Sequence, residues 1–170
     1  MGMKTDHLKT CDILLYKGKG LTSWLIQVGT GSRYNHVAVV VHPGMNLAIE
    51  SNTGHQAGVR ALDLRKLVDS EIDIVRVKSE FTYDPKQVIS YLVGHLGAKY
   101  DWWGVARLGA LKLFQLKEQS NKWQKEQDYF CSELVYEAFK ETGLDIVPQV
   151  SEADVTSPGD IAASERVEKV

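Results

Sequence analysis

The chain has 170 residues, 44% hydrophobic and 25% charged, with a formal net charge of −2. That length suits a single domain over residues 1–170, able to bury a core without staples. The charge balance argues against nucleic acid held by bulk positive charge, and the two cysteines, Cys11 and Cys131, are too few for a disulfide scaffold or a cysteine-rich zinc site.

The first residues, Met1 to Asp6, lack the apolar core of a signal peptide. Gly2 alone does not make a lipidation signal, because Asp6 stands where Ser or Thr is wanted. No apolar run reaches the roughly 18 residues a membrane span needs. The expected setting is therefore the cytoplasm, with both thiols free.

Asp12 to Tyr16 is a short apolar run ended by Lys17-Gly18-Lys19-Gly20, and reads as a first strand. Leu21, Trp24, Leu25 and Val28 have helical spacing closed by Gly29 and Gly31, which predicts a short helix. His36 to Val41 is rich in β-branched residues and should be a strand. His42-Pro43-Gly44 breaks it, and Met45 to Ser51 resumes extended character, so the pair reads as a hairpin.

A three-residue loop with Gly44 in the left-handed conformation would pair Val41 with Met45 and set His36 directly opposite Glu50. Alternation then gives His36, Ala38, Val40, Ala48 and Glu50 one face, with Val37, Val39, Val41, Leu47 and Ile49 on the other. Shifting by one residue would turn Glu50 among the valines, where an unpaired carboxylate is costly. The face that is small in its middle, at Ala38 and Ala48, invites something to pack over it near His36.

Gly58 to Leu64 and Ile72 to Val77 alternate and read as further strands, linked by a helical turn over Arg65 to Asp69. Asp84-Pro85-Lys86-Gln87 is a helix start, predicting a helix through Leu96 that stops at Gly97. Ala98 to Asp101 is a connector. Asp101 caps a second predicted helix, Trp102 to about Phe114, followed by the polar stretch Gln115 to Gln127, which is either a solvated helical extension or a loop. The tail from Asp145 carries a predicted turn at Ser157-Pro158-Gly159-Asp160.

Between these lies the stretch that carries chemistry. Cys131, Leu134, Val135, Ala138 and Phe139 recur at the spacing of one helical face, with Asp128 as N-cap and Gly143 as stop. A lone cysteine there is ordinarily a small core residue. It is also a thiol at the positive end of a helix dipole, which favours the thiolate. A thiolate nucleophile needs a base, and a histidine serves when one ring nitrogen faces sulfur and an acceptor holds the other. The hairpin offers such a pair. The expected triad is Cys131 as nucleophile, His36 as general base and then acid, and Glu50 as orienting acceptor. Backbone N–H groups at the helix start would serve the oxyanion. Taken singly, His36 reads as a strand-end histidine and Glu50 as an exposed strand-end carboxylate; their coincidence favours function.

His7, His42, His55 and His95 lack metal-ligand spacing, so no metal is expected. Gly18/Gly20 and Gly29/Gly31 lack the phosphate-cradling patterns, so no nucleotide or other cofactor is expected. Trp102 and Trp103 with Arg107 and Lys112 would make a lipid-facing patch only if that helix were exposed; they equally fit a buried helix.

Taken together, Cys11-Asp12-Ile13-Leu14-Leu15, Tyr34-Asn35-His36-Val37-Ala38-Val39-Val40, Ala48-Ile49-Glu50-Ser51, Gly97-Ala98-Lys99-Tyr100-Asp101, Tyr129-Phe130-Cys131-Ser132-Glu133-Leu134-Val135 and Ser157-Pro158-Gly159-Asp160-Ile161 resemble the circularly permuted branch of the NlpC-type papain-like superfamily, the YiiX-like proteins. The resemblance spans about residues 11 to 162. It implies an α+β, permuted papain-like fold: a small antiparallel, barrel-like sheet packed against helices. It also implies that Cys131, His36 and Glu50 form the triad, with Tyr34 and Tyr100 as site-lining, substrate-binding residues. Ordinary members cut cell-wall peptides, and permuted relatives include lecithin retinol acyltransferase-like enzymes. This chain has Cys11-Asp12 where the pattern usually has Gly-Asp, placing a second thiol near the start of the fold.

The leading expectation is a cysteine-dependent hydrolase cleaving an amide bond, in a peptide or amino-acid amide. A thioesterase or acyltransferase on lipid acyl groups is the alternative, and a non-catalytic binding module the third. The expected partner is a small peptide, amino-acid amide or acyl substrate, without nucleic acid or metal; membrane association is not predicted.

Overall fold

A computed structural model of the protein describes residues 7–17, 32–52, 57–67, 71–99, 131–150 and 156–170. Six strands form one antiparallel sheet: β1 (Ile13–Tyr16), β2 (His36–His42), β3 (Leu47–Asn52), β4 (Gly58–Asp63), β5 (Ile72–Val77) and β6 (Val167–Lys169). Their order is β4-β3-β2-β1-β5-β6. The helices among the described residues are α1 (Pro85–Gly94), α2 (Cys131–Lys140) and α3 (Pro158–Ala163). No helix among these residues is long and apolar enough to cross a membrane.

β1 and β2 occupy the middle of the sheet, and Ile13 to Leu15 and Val37 to Val41 are buried. Strands covered on both faces carry continuous apolar runs rather than alternation. One face holds Ile13, Leu15, Val37, Val39, Val41, Ile49 and Val75 in the main core, together with Cys131, Leu134, Val135, Ala138 and Phe139 of α2. The other holds Leu14, Ala38, Val40, Ala48 and Ile74 with Leu8, Leu64 and Leu67. Each large side chain buried in this way contributes roughly 1.5–3 kcal/mol.

The expected closed, barrel-like sheet is not found: β4 and β6 are opposite edges and do not pair with each other. The small-residue face at Ala38 and Ala48 is covered, as expected, but not by the Cys131 helix. The Cys131 helix lies against the bulkier valine face, which offers more apolar area to bury, and the small-residue face is filled by Leu8, Leu14, Leu64, Leu67 and Ile74. The turn expected at Ser157 is the start of α3. Ser157 Oγ accepts from Asp160 N at 3.2 Å, and Asp160 Oδ2 accepts from Ser157 N at 2.9 Å, a reciprocal capping box that fixes a helix end.

Asp84 caps α1 by accepting from Lys86 N at 2.9 Å, and the helix ends at Gly94 rather than Leu96. Leu64–Lys66 forms the expected helical turn between β4 and β5. Gly58 has φ +119°, and a Cβ built there would stand 2.2 Å from the Ala98 carbonyl oxygen. That carbonyl accepts from Val59 N at 2.8 Å, and Gly97 N donates to Val59 O at 2.9 Å, so only glycine admits the Gly97-Ala98 segment this close to β4. The predicted helices at Leu21–Val28 and Trp102–Phe114, the polar stretch 115–127, and the Asp128 cap lie outside the described residues.

Candidate active site

The hairpin carries the histidine and the carboxylate, but not in the expected register. Pro43–Met45 forms a 3-10 turn, Asn46 takes the left-handed conformation at φ 54°, and His42 Nδ1 accepts from Met45 N at 3.1 Å. Asn supports that conformation through its short polar side chain. The longer turn and a bulge between Val40 and His42 pair Ala38 with Glu50, Val39 with Ile49 and Val40 with Ala48. Glu50 therefore stands diagonal to His36 rather than opposite it. The shift is an even number of residues, so both keep the same face, and a diagonal neighbour is within reach of a long side chain.

His36 Nε2 and Glu50 Oε2 are 2.7 Å apart. The other carboxylate oxygen, Oε1, accepts from Asn52 Nδ2 at 2.9 Å and from Arg60 Nε at 2.9 Å, and Arg60 NH2 lies 2.8 Å from it. Glu50 is 3% exposed. Burial alone would raise its pKa, but the hydrogen bond and charge of His36, with the donors Asn52 and Arg60, hold it down at about 2. Glu50 is a pinned carboxylate, able to accept from the imidazole and not to relay its proton.

Cys131 stands near enough to His36 for its side chain and charge to act on the ring. With Nε2 on Glu50, Nδ1 is the nitrogen left for sulfur. Burial favours a neutral His36, yet the charge and hydrogen bond of Cys131, and then those of Glu50, raise its pKa to about 10. His36 opens β2 and Cys131 opens α2. The contact is therefore made where the two elements begin, although α2 packs on the face opposite the one His36 shares with Ala38 and Val40.

Neither Asn52 nor Arg60 was singled out by the sequence. The signal was present: Asn52 is two residues beyond Glu50 on one strand, and Arg60 is directly opposite Glu50 on β4. Reading it required the β3–β4 register.

Of the two tyrosines expected to line the site, Tyr34 is buried, and its hydroxyl donates to Asp73 Oδ2 at 2.6 Å. Lys17 and Lys169 each stand 2.9 Å from the same carboxylate. Tyr100 lies outside the described residues, as does His55. His42 caps the hairpin turn and His95 Nδ1 is 2.7 Å from the Tyr91 carbonyl.

Cys11 is buried, and desolvation, then the charge of Asp12, push its thiol up to about 12. Its φ is 67°, the left-handed region in which glycine is the unstrained residue. Asp12 is fully buried and paired with Arg76, with Nε 2.7 Å from Oδ1 and NH2 2.8 Å from Oδ2, a fork that ties β1 to β5.

An open antiparallel sheet whose histidine–carboxylate pair meets a cysteine at the start of a helix defines an α+β domain with a Cys-His-Glu constellation. No protein-family model and no curated protein matches the chain. Among solved structures it is similar to the metalloprotein YiiX from Escherichia coli O157:H7, with a TM-score of 0.69 and 16% identity over 95% of this chain and 96% of that one. The chain thus has a YiiX-like fold.

Proposed function

We propose that the protein is a cysteine-dependent hydrolase of the permuted papain-like type, cleaving an amide bond in a peptide or amino-acid amide. The observation that carries this reading is His36 Nε2 held 2.7 Å from the pinned Glu50, with Cys131 near enough to act on the same ring. An imidazole oriented by a pinned carboxylate and set near sulfur is the arrangement in which a histidine serves a cysteine as general base.

In the proposed reaction the Cys131 sulfur attacks the substrate carbonyl carbon, and backbone N–H groups at the start of α2 receive the oxyanion. The C–N bond breaks as His36 gives its proton to the leaving amine, leaving an acyl thioester. Water then attacks the thioester, losing a proton to His36, and the acid leaves as the proton passes back to the Cys131–His36 pair. Glu50 orients the ring throughout and keeps its charge. Tyr34 and Tyr100 are proposed to line the substrate path.

YiiX is described as a metalloprotein. In this chain both Glu50 oxygens are engaged by His36, Asn52 and Arg60, and no three His, Cys, Asp or Glu side chains among the described residues converge as a metal set. The donors among the described residues do not make a metal set.

The test is alkylation followed by a substrate screen. Cys131 should react with iodoacetamide much faster than Cys11 at neutral pH, and His36→Ala should abolish the difference. Equal rates in the parent protein would sink the activated-thiol reading. Cleavage of peptide amides would support the amidase. Turnover of acyl esters alone would replace it with a thioesterase or acyltransferase, and no turnover with a reactive thiol would favour the binding module.

A further inference from the structure

The proposed triad has a neighbour that the mechanism does not use. Tyr16, the last residue of β1, pairs directly with His36 across the β1–β2 ladder. Directly opposed residues share a face of the sheet, and the two rings meet with centroids 5.1 Å apart at an interplanar angle of 59°. The Tyr16 hydroxyl is buried and has no hydrogen-bond partner among the described residues. It also feels the charges of Glu50 and Arg60, which act on it after burial itself. The tyrosine therefore stands beside both halves of the His36–Glu50 pair.

We propose that Tyr16 is a positioning residue of this site: its ring packs on the His36 imidazole, keeps water from the His36 Nε2–Glu50 Oε2 contact, and so holds Nδ1 toward the Cys131 sulfur. The proposal rests on the triad reading above. A hydrogen bond to a charged group is stronger in a dry, low-dielectric setting than beside water. With Tyr16 in place the His36 side chain is only 17% exposed, and Tyr16 is one of the neighbours that shield it. An aromatic ring at a tilted, edge-to-face angle covers an imidazole and restricts its rotation. The groups acting on His36 are Glu50 from β3 and Cys131 from α2, with Tyr16 from β1 as its uncharged contact. No described residue bonds the Tyr16 hydroxyl, and the contact with His36 is made by the ring, so the role is assigned to the ring.

The experiment measures the rate of Cys131 alkylation by iodoacetamide against pH, with site-resolved mass spectrometry, in the full chain and in Tyr16→Phe, Tyr16→Leu and Tyr16→Met. Tyr16→Phe should keep the parent rate and profile. Tyr16→Leu and Tyr16→Met should slow Cys131 at neutral pH by up to about tenfold, the range open to a single aromatic contact, and shift the midpoint of the profile. Met fills a similar volume without a ring, so it preserves the test if Leu does not fold. Parent-like profiles in the folded Leu or Met variant would overturn the positioning role, and so would a Phe variant as slow as Leu. If Cys131 in the parent reacts no faster than Cys11, the triad reading itself falls; a fast parent with unchanged variants removes Tyr16 alone.

Discussion

Glu50 sits across the hairpin from Ala38, not from His36, yet its Oε2 is 2.7 Å from His36 Nε2. The diagonal contact frees the directly opposed neighbours of both residues for other work. Tyr16 faces His36 from β1, and Arg60 faces Glu50 from β4. Four adjacent strands thereby contribute one row of side chains, in the order Arg60, Glu50, His36, Tyr16.

Removing the charge from the middle of that row should disable it. Glu50→Gln keeps the volume but no longer stabilises an imidazolium. Turnover should fall by roughly 10²–10⁴, the span general acid–base catalysis supplies, once a substrate is in hand. Stability should also drop by about 1–3 kcal/mol, because the charge-assisted pair with Arg60 becomes a hydrogen bond to a neutral amide. Chemical denaturation and single-turnover assays check the two effects separately; a fully active Glu50→Gln would eliminate the orienting role.

Arg60→Met tests the pinning of Glu50. Arg60 is one of the donors that hold Glu50 near 2. Without it the carboxylate should protonate at a higher pH, and the acid limb of the alkylation profile of Cys131 should move upward. An acid limb that stays in place would mean that His36 and Asn52 suffice.

The same pair predicts how stability responds to pH. Glu50 is lowered from 4.5 to about 2, so its contribution is complete above about 4.5 and disappears as pH falls toward 2. His36 is raised from 6.5 to about 10, so its contribution is complete below about 6.5 and disappears as pH rises through 10. The gap in melting temperature between the parent and His36→Gln should be widest near pH 5–6 and shrink toward pH 10, read by calorimetry across that range. A gap that widens on the alkaline side would contradict the sign.

Gly58→Ala should destabilise the fold by about 1–3 kcal/mol through overpacking, because the new methyl would stand 2.2 Å from the Ala98 carbonyl oxygen at a φ of +119°. Amide exchange at Val59 and Gly97 should report the loosened contact first. An unchanged unfolding midpoint would show that the Ala98 segment moves away freely.

Much of this architecture is legible in the sequence because it is local. The strand over Ile72–Val77, the Asp84 cap and the buried face Cys131, Leu134, Val135, Ala138 and Phe139 all follow from periodicity and capping within a few residues. The shared face of His36 and Glu50 is legible because an even slip in register keeps side chains on the same side. The slip itself is not, since Gly44 and Asn46 are both able to take the left-handed position and only the packed turn selects Asn46. The covering of each sheet face escapes the sequence because two apolar faces do not announce which helix they receive. Ser157-Pro158-Gly159-Asp160 carries turn chemistry and helix-cap chemistry in the same residues, and the structure uses the second. The meeting of Cys131 with His36 is not available from spacing at all; the family resemblance implied it.

The position of β1 at the centre of the sheet sets the timetable on which this site is assembled. The hairpin that joins His36 to Glu50 closes over a short span, whereas Cys131 follows His36 by 131 − 36 = 95 residues. Short-range pairings form before long-range ones, which must first overcome the entropy of closing a long loop. The charged pair should therefore exist before Cys131 arrives, and the environment of the thiol should change only when α2 docks on the valines of β2. Pulse alkylation during refolding would show Cys131 reactivity rising in the last kinetic phase. The chain thus brings Cys131 to the His36–Glu50 pair only after the sheet beneath it is complete.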